Sequence, residues 1–303
     1  MRQRYTFRAM AAEHEILVDA ADASRARAAV DAAIADVQRI ERKYSRYRED
    51  SVVGAINASA GLRDVAIDDE TAALLRYADQ CFRLSGGRFD ITSGVMRRAW
   101  NFRAYPPRVP AQEDIDALLP LVNWSSVAFD SKAIRLPRPR MEIDLGGIGK
   151  EYAADRAAAI LADLGVDRAL VNLGGDVRAL GAPSDAAAWR VGVQHPRNAE
   201  GIAVASVEIR DGAVATSGDY QRCFDVGGRR YCHVIDARTG WPVHHWQSVS
   251  TIAPLAVVAG SCSTIAMLLG GDGASFLESQ GVPWLGVDAG GAIHGTLAPL
   301  EPR

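Results

Sequence analysis

The stretch Asp22–Tyr44 constrains this chain most. Ala26, Ala29, Val30, Ala33, Ile34, Val37 and Ile40 recur at three- and four-residue spacing and form one apolar stripe along a helix. Such a helix runs roughly 30 Å. Its stripe has to be covered by an apolar surface of matching length, because packing of that face supplies most helical stability. Three further helices read from the same periodicity. Asp69–Leu84 carries Leu74, Leu75, Ala78 and Phe82 inward and stops at Gly86-Gly87. Gly149–Leu164 stops at Gly165, and Ala256–Leu269 stops at Gly270.

Short strands lie between the helices. His14–Val18 alternates, with His14, Ile16 and Val18 on one side. Val127–Phe129 and Ala133–Leu136 flank the polar turn Asp130-Ser131-Lys132, and Gln221–Val226 and Arg230–Ile235 flank Gly227-Gly228. Ala169–Leu173, Trp189–Gln194, Ile202–Ile209, Ser248–Ala253, Trp284–Val287 and Ala292–Gly295 complete the set. Long helices mixed with hairpins indicate an α+β fold rather than a βαβ repeat.

At 303 residues with 48% hydrophobic residues, the chain can bury a core without disulfides or metals. A net charge of −3 argues against a nucleic-acid partner, whose footprint is a basic excess. No run approaches the roughly 18 apolar residues of a membrane span. The opening MRQRYTFRAM has no apolar signal-peptide core. Cys81, Cys223, Cys232 and Cys262 form no C-x-x-C pair, and read as free thiols of a cytoplasmic protein, with a disulfide between two of them left open. Tyr105–Pro110 and Gly181–Ala188 are the most linker-like segments. Both are read as surface loops of one unit spanning residues 1–303, with a division into two subdomains as the variant.

The densest unusual motif is Ile143-Asp144-Leu145-Gly146-Gly147-Ile148-Gly149-Lys150-Glu151-Tyr152, which follows an extended segment and opens a helix. Backbone amides reached closely through glycines, with a lysine beside them, suit a phosphate. The run is neither a Walker A loop nor a full dinucleotide fingerprint. An anion site and a plain strand-to-helix turn are both open readings. Asn172-Leu173-Gly174-Gly175-Asp176 is a second glycine turn. Ser217, His233 and Asp236 can be read as a nucleophile, base and orienter, but no G-x-S-x-G elbow surrounds the serine. A histidine acting as general base in a polar cleft fits better. His244-His245 with His233 lacks zinc-ligand spacing. Ser45–Ser51 reads as a solvated helix end or as a contact made by Tyr47.

These motifs resemble, in order and over nearly the whole length, the FAD:protein FMN transferase (ApbE) family. Met10 heads a strand where the family has Met-Gly-Thr. YSRYREDSVVGAIN, GGRFDITSGVMRRAWNF, IDLGGIGKEYAADRA, NLGGDVRALG, ATSGDYQRCF and HVIDARTGWPV follow. The resemblance implies a T-fold-like α+β core with antiparallel sheets and packed helices. It implies Mg²⁺-dependent cleavage of FAD, with FMN passed to a Ser or Thr of a target flavoprotein and AMP released. It implies cofactor contacts at Met10, Tyr47, Arg88, Phe89, Asp90, Asp144, Lys150 and Ile235, and a catalytic base at His233. Gly147, through its carbonyl, and Thr264 are the implied metal ligands.

The chain departs from the family's Ala-Asp-x-x-x-Thr metal motif. It reads Ala259-Gly260-Ser261-Cys262-Ser263-Thr264, so Gly260 replaces the aspartate. Magnesium prefers carboxylate oxygens, and Ser261 or Ser263 is the nearest hydroxyl candidate to replace one. An aspartate restored at 260 is expected to raise metal affinity. Ala237 in place of Pro and Ala11-Ala12 in place of Gly-Thr read as mild changes. The missing carboxylate leaves two alternatives to the transferase: a non-catalytic FAD-binding or flavin-delivery protein, and a Mg-dependent FAD pyrophosphatase.

Overall fold

The computed structural model describes residues 2–198 and 202–298; the outermost parts of the expected 1–303 unit therefore lie outside the described residues. The chain opens with a hairpin, β1 (Arg2–Ala9) and β2 (Ala12–Asp19). The long helix α1 (Ala23–Tyr44) follows, capped by the Asp22 carboxylate, which accepts from the Ser24 and Arg25 amides. Next come α2 (Val52–Ala58), β3 (Val65–Ala66), α3 (Asp69–Leu84), a 3₁₀ segment Ile91–Arg98 and α4 (Gln112–Asp116). β4 (Ala128–Phe129) and β5 (Ala133–Arg135) join β3 in a small sheet. Helix α5 (Gly149–Asp163) leads to β6 (Ala169–Leu173), β7 (Asp176–Leu180), β8 (Trp189–Gln194), β9 (Ala203–Ile209) and β10 (Gly212–Gly218). β11 (Cys223–Val226), β12 (Arg229–Cys232) and β13 (Trp246–Ala253) precede α6 (Ala256–Leu269), α7 (Gly273–Gln280), β14 (Trp284–Asp288) and β15 (Ile293–Gly295).

The main sheet has eight strands in the order β1-β2-β6-β7-β10-β13-β14-β15. Neighbours in space follow chain order, and every pairing is antiparallel. Everything else is inserted between these strands. Helices α1, α5 and α6 pack side by side, with α5 against β6 and β7 and α6 against β10 and β13. The apolar stripe of α1 is thus covered by a helix–sheet core containing Ile16, Val18, Val171, Leu173, Ala213 and Val249. The opposite face is covered by the β8–β9 ribbon, where Trp189, Val193, Val207 and Ile209 meet Leu170, Val177, Val214 and Leu285. Burial on both faces explains why β6 is apolar at every position but Asn172.

The expected α+β architecture of antiparallel sheets and packed helices is the one observed. Three strands of the main sheet, β1, β7 and β10, were not expected from the sequence. In β1 the arginines at positions 2, 4 and 8 hide the alternation of an edge strand, as β1 pairs on one side only. Met10 does not head the first strand; it sits in the β1–β2 turn, where Met10 and Ala11 take φ of 49° and 60°. The run Ala256–Gln280 is long and apolar enough to cross a membrane by length and composition, yet most of it is buried inside the fold, as a core helix is.

Candidate active site

The glycine run enters α5 as a tight turn. The Asp144 amide donates to Ile91 O at 2.8 Å, and Asp144 Oδ1 accepts from the Gly146 amide at 3.0 Å. No side chain caps the helix start at Ile148, and the Ile148 and Gly149 amides donate to Leu145 O at 3.0 and 2.7 Å, which leaves the amides beyond them to meet an anion. Arg46 Nη1 donates to Asp144 Oδ2 at 2.5 Å, and its guanidinium lies 5.0 Å from the Tyr47 ring centroid. Tyr47 itself is 77% exposed. Phe89 is buried beneath the turn, since a Cβ on Gly147 would stand 3.2 Å from its ring.

Lys150 points toward the second glycine turn and pairs with the buried Asp176 at the start of β7. Gly174 in that turn has φ +63°, and a Cβ there would touch Lys150 Cδ and His14 Cε1. Burial works against the Lys150 charge, but Asp176 and Glu151 outweigh it and hold its pKa above the ordinary lysine value. Met10 lies nearby in the first hairpin turn, its amide donating to Glu41 Oε1 at 2.6 Å.

Helix α6 forms the next wall. Thr264 Oγ1 and Ser217 Oγ share a hydrogen bond of 2.8 Å, and Ser217 meets Ser263 at the same distance. Ser263 is buried and donates to Gly260 O at 2.9 Å, while Ser261 faces Tyr77 and Cys81 of α3. A Cβ on Gly260 would lie 2.6 Å from Glu151 Cγ and 2.9 Å from its Oε1, so the Glu151 side chain fills that space. An aspartate at 260 enters only if the Glu151 side chain shifts, a cost that the expected gain in metal affinity has to exceed.

His233 follows β12, its amide donating to Arg222 O at 3.0 Å. His233 is exposed. Desolvation by the surrounding protein, then the charges of Arg222 and Lys150, push the imidazole down to about 4. It is therefore neutral at pH 7. Ile235 is half-buried and bridges Pro242. Arg88 Nε stands 3.4 Å from Asp236 Oδ2, and Arg88 O accepts from the Ala237 amide, joining the Arg88-Phe89-Asp90 run to the histidine segment.

Asp90 is 6% exposed and engaged by the chain itself: Oδ1 accepts from Thr92, and Oδ2 from the Trp124 amide. It holds the 3₁₀ segment and the following loop. Ser217, His233 and Asp236 do not assemble as a triad, because Ser217 is bonded to Thr264 and Ser263 and Asp236 is turned to Arg88. Among the described residues no group of three or more His, Cys, Asp or Glu gathers as a metal site. Sequence reasoning missed Arg46, Arg222 and Glu151. Arg46 and Arg222 lie within quoted motifs, but only folding shows that they face Asp144 and His233. Glu151 has one readable signal, an acidic residue on the inward face of an alanine-rich helix.

A model of the ApbE family matches residues 3–285. The chain is 32% identical over 241 residues to the FAD:protein FMN transferase of Escherichia coli (strain K12), covering 76% of this chain and 68% of that protein. It is 32% identical over 264 residues to that of Treponema pallidum (strain Nichols), covering 82% and 73%. The crystal structure of the ApbE protein from Thermotoga maritima superposes with a TM-score of 0.89 at 33% identity, over 98% of this chain and 97% of that one. The apo flavinyl transferase ApbE of Pseudomonas stutzeri gives 0.84 at 28% identity, over 98% and 95%. A family match over residues 3–285, relatives 32% identical over most of the chain and a shared fold lead to one conclusion: the chain belongs to the ApbE family.

Proposed function

We propose that this chain is an FAD:protein FMN transferase, cleaving FAD at its pyrophosphate and joining FMN through a phosphoester to a Ser or Thr of a target flavoprotein. The observation that carries this reading is His233, an exposed imidazole on the segment tied to the Arg88 run through the Ala237 amide, in a chain whose residues 3–285 match the family. A neutral imidazole beside an anion-binding start can take a proton from an acceptor hydroxyl while that hydroxyl attacks phosphorus. The acceptor Oγ–P bond forms, the P–O bond to AMP breaks, the hydroxyl proton passes to His233, and AMP leaves.

In this reading Lys150 and Arg222 face the pyrophosphate charge, and the open amides of α5 add to that field. Asp144, oriented by Arg46 and the Gly146 amide, presents a polar FAD contact. Tyr47, Met10 and Ile235 line the route of the flavin, and Phe89 and Asp90 hold Gly147 and the Arg88 segment in place. The Gly147 carbonyl and the Thr264 hydroxyl are hard oxygen donors suited to Mg²⁺, which commonly takes one or two carboxylates together with substrate phosphates. When bound, the ion would offset the negative charge that develops on the bridging oxygen. A reducing cytoplasmic location is the companion proposal, supported by four unpaired thiols.

The test is a mass spectrum of an FMN-acceptor domain incubated with this protein, FAD and Mg²⁺, with an EDTA control. A metal-dependent FMN adduct on the acceptor supports the reading. AMP with free FMN and no adduct replaces it by pyrophosphatase activity. Bound FAD with neither product, while a relative modifies the same acceptor in parallel, replaces it by flavin binding alone.

A further inference from the structure

We propose that Glu151 supplies the metal carboxylate of this site, from α5, in place of the aspartate that Gly260 lacks on α6. The inference rests on the transferase reading for the identity of the ion, and on three observations of this chain for the ligand. First, the Glu151 side chain occupies the space that a residue at 260 would fill, with Oε1 2.9 Å from the position of its Cβ. Residues 260 and 264 stand one helical turn apart on the same face of α6, so the Glu151 carboxylate stands about one turn from Thr264.

Second, Glu151 is only 7% exposed, and its Oε2 is buried with no hydrogen-bond partner. A buried carboxylate with an unused oxygen is costly unless a cation or donor meets it. Third, the neighbouring charges are already committed. Lys150 is paired with Asp176, and Asp155 accepts from the Ala256 and Val257 amides at 2.8 and 2.9 Å. Glu151 is the carboxylate with an unpartnered oxygen, and around it lie Asp176, Asp155 and the Lys150 ammonium that is already paired with Asp176. A hard divalent cation between Glu151, Thr264 and the Gly147 carbonyl satisfies the spare oxygen and offsets that excess of negative charge.

The experiment reads metal binding rather than turnover. Free Mn²⁺ is followed by its EPR signal while the protein is titrated, with and without FAD, for wild type, Glu151→Gln and the exchange variant Glu151→Gly/Gly260→Asp. FAD binding in EDTA, followed by flavin fluorescence, checks that each variant retains its fold. Glu151→Gln is expected to weaken Mn²⁺ binding roughly tenfold or more, as loss of a ligand charge does. The exchange variant is expected to recover it. Mn²⁺ affinity in Glu151→Gln within about twofold of wild type overturns the inference, as does an absence of Mn²⁺ binding in all three proteins. Metal binding that depends on Glu151, without any FMN adduct in the acceptor assay, keeps this inference and overturns the transferase reading instead.

Discussion

Replacing Gly260 by alanine adds one methyl group at a point 2.6 Å from Glu151 Cγ, well inside van der Waals contact. The three nearest atoms all belong to Glu151, and the closest is a mid-chain carbon that cannot swing aside as a side-chain tip can. Overpacking of this kind costs about 1–3 kcal/mol. In a Glu151→Ala background those atoms are gone, and glycine to alanine inside a helix then gains about 0.5–1 kcal/mol. The same substitution should therefore change sign, with a coupling of about 1.5–4 kcal/mol between the two positions. At about 2.1 cal/mol/K per residue, 1 kcal/mol moves the Tm of a 303-residue chain by roughly 1.6 °C. Thermal melts of the four proteins should show a fall of about 2–5 °C in the first background and a rise of about 1 °C in the second. Equal destabilisation in both backgrounds would falsify the claim that Glu151 fills the space beside Gly260.

Four further outcomes are expected. His233→Ala should lower kcat by about 10²–10⁴ while leaving FAD affinity unchanged. In wild type the acid limb of kcat/KM should lie near 4, because desolvation, then the Arg222 and Lys150 charges, depress the free imidazole; a limb near 6.5 counts against this. Ala11 holds a φ of 60° where the family carries glycine, so this change is not mild, and Ala11→Gly should raise stability by about 0.5–1 kcal/mol, read as a higher melting temperature. Arg46→Met removes the donor that orients Asp144, and FAD affinity by fluorescence titration should fall roughly tenfold; an unchanged affinity would show that Asp144 is held well enough by the Gly146 amide.

The helices were legible because their stripes and stops are local. Asp22 and Asp68 cap α1 and α3, and α1, α3, α5 and α6 lie within a residue or so of their sequence limits. The strands flanking Gly227-Gly228 were legible for the same reason, but β7, which follows the Gly174-Gly175 turn, was not. β10 was not, because Ala213, Ala215 and Ser217 are small and their burial is decided by α6 rather than by their own side chains. The candidate site divides in a similar way. The glycine runs, Lys150 and His233 stand out in the sequence, whereas the exchange of Glu151 for a residue at 260 does not. Positions 109 apart carry no mark of contact until α5 and α6 lie side by side.

That shared space also restricts how such a site can change over successive mutations. A carboxylate cannot be added at 260 first and removed at 151 afterwards, since the intermediate would crowd two side chains into one volume and bury two negative charges together. The order has to be reversed, through a protein with neither carboxylate. Such an intermediate folds without strain and binds metal poorly, so the exchange crosses a dip in function rather than a dip in stability. Selection would tolerate that passage only while the flavin target is dispensable or a second transferase serves it.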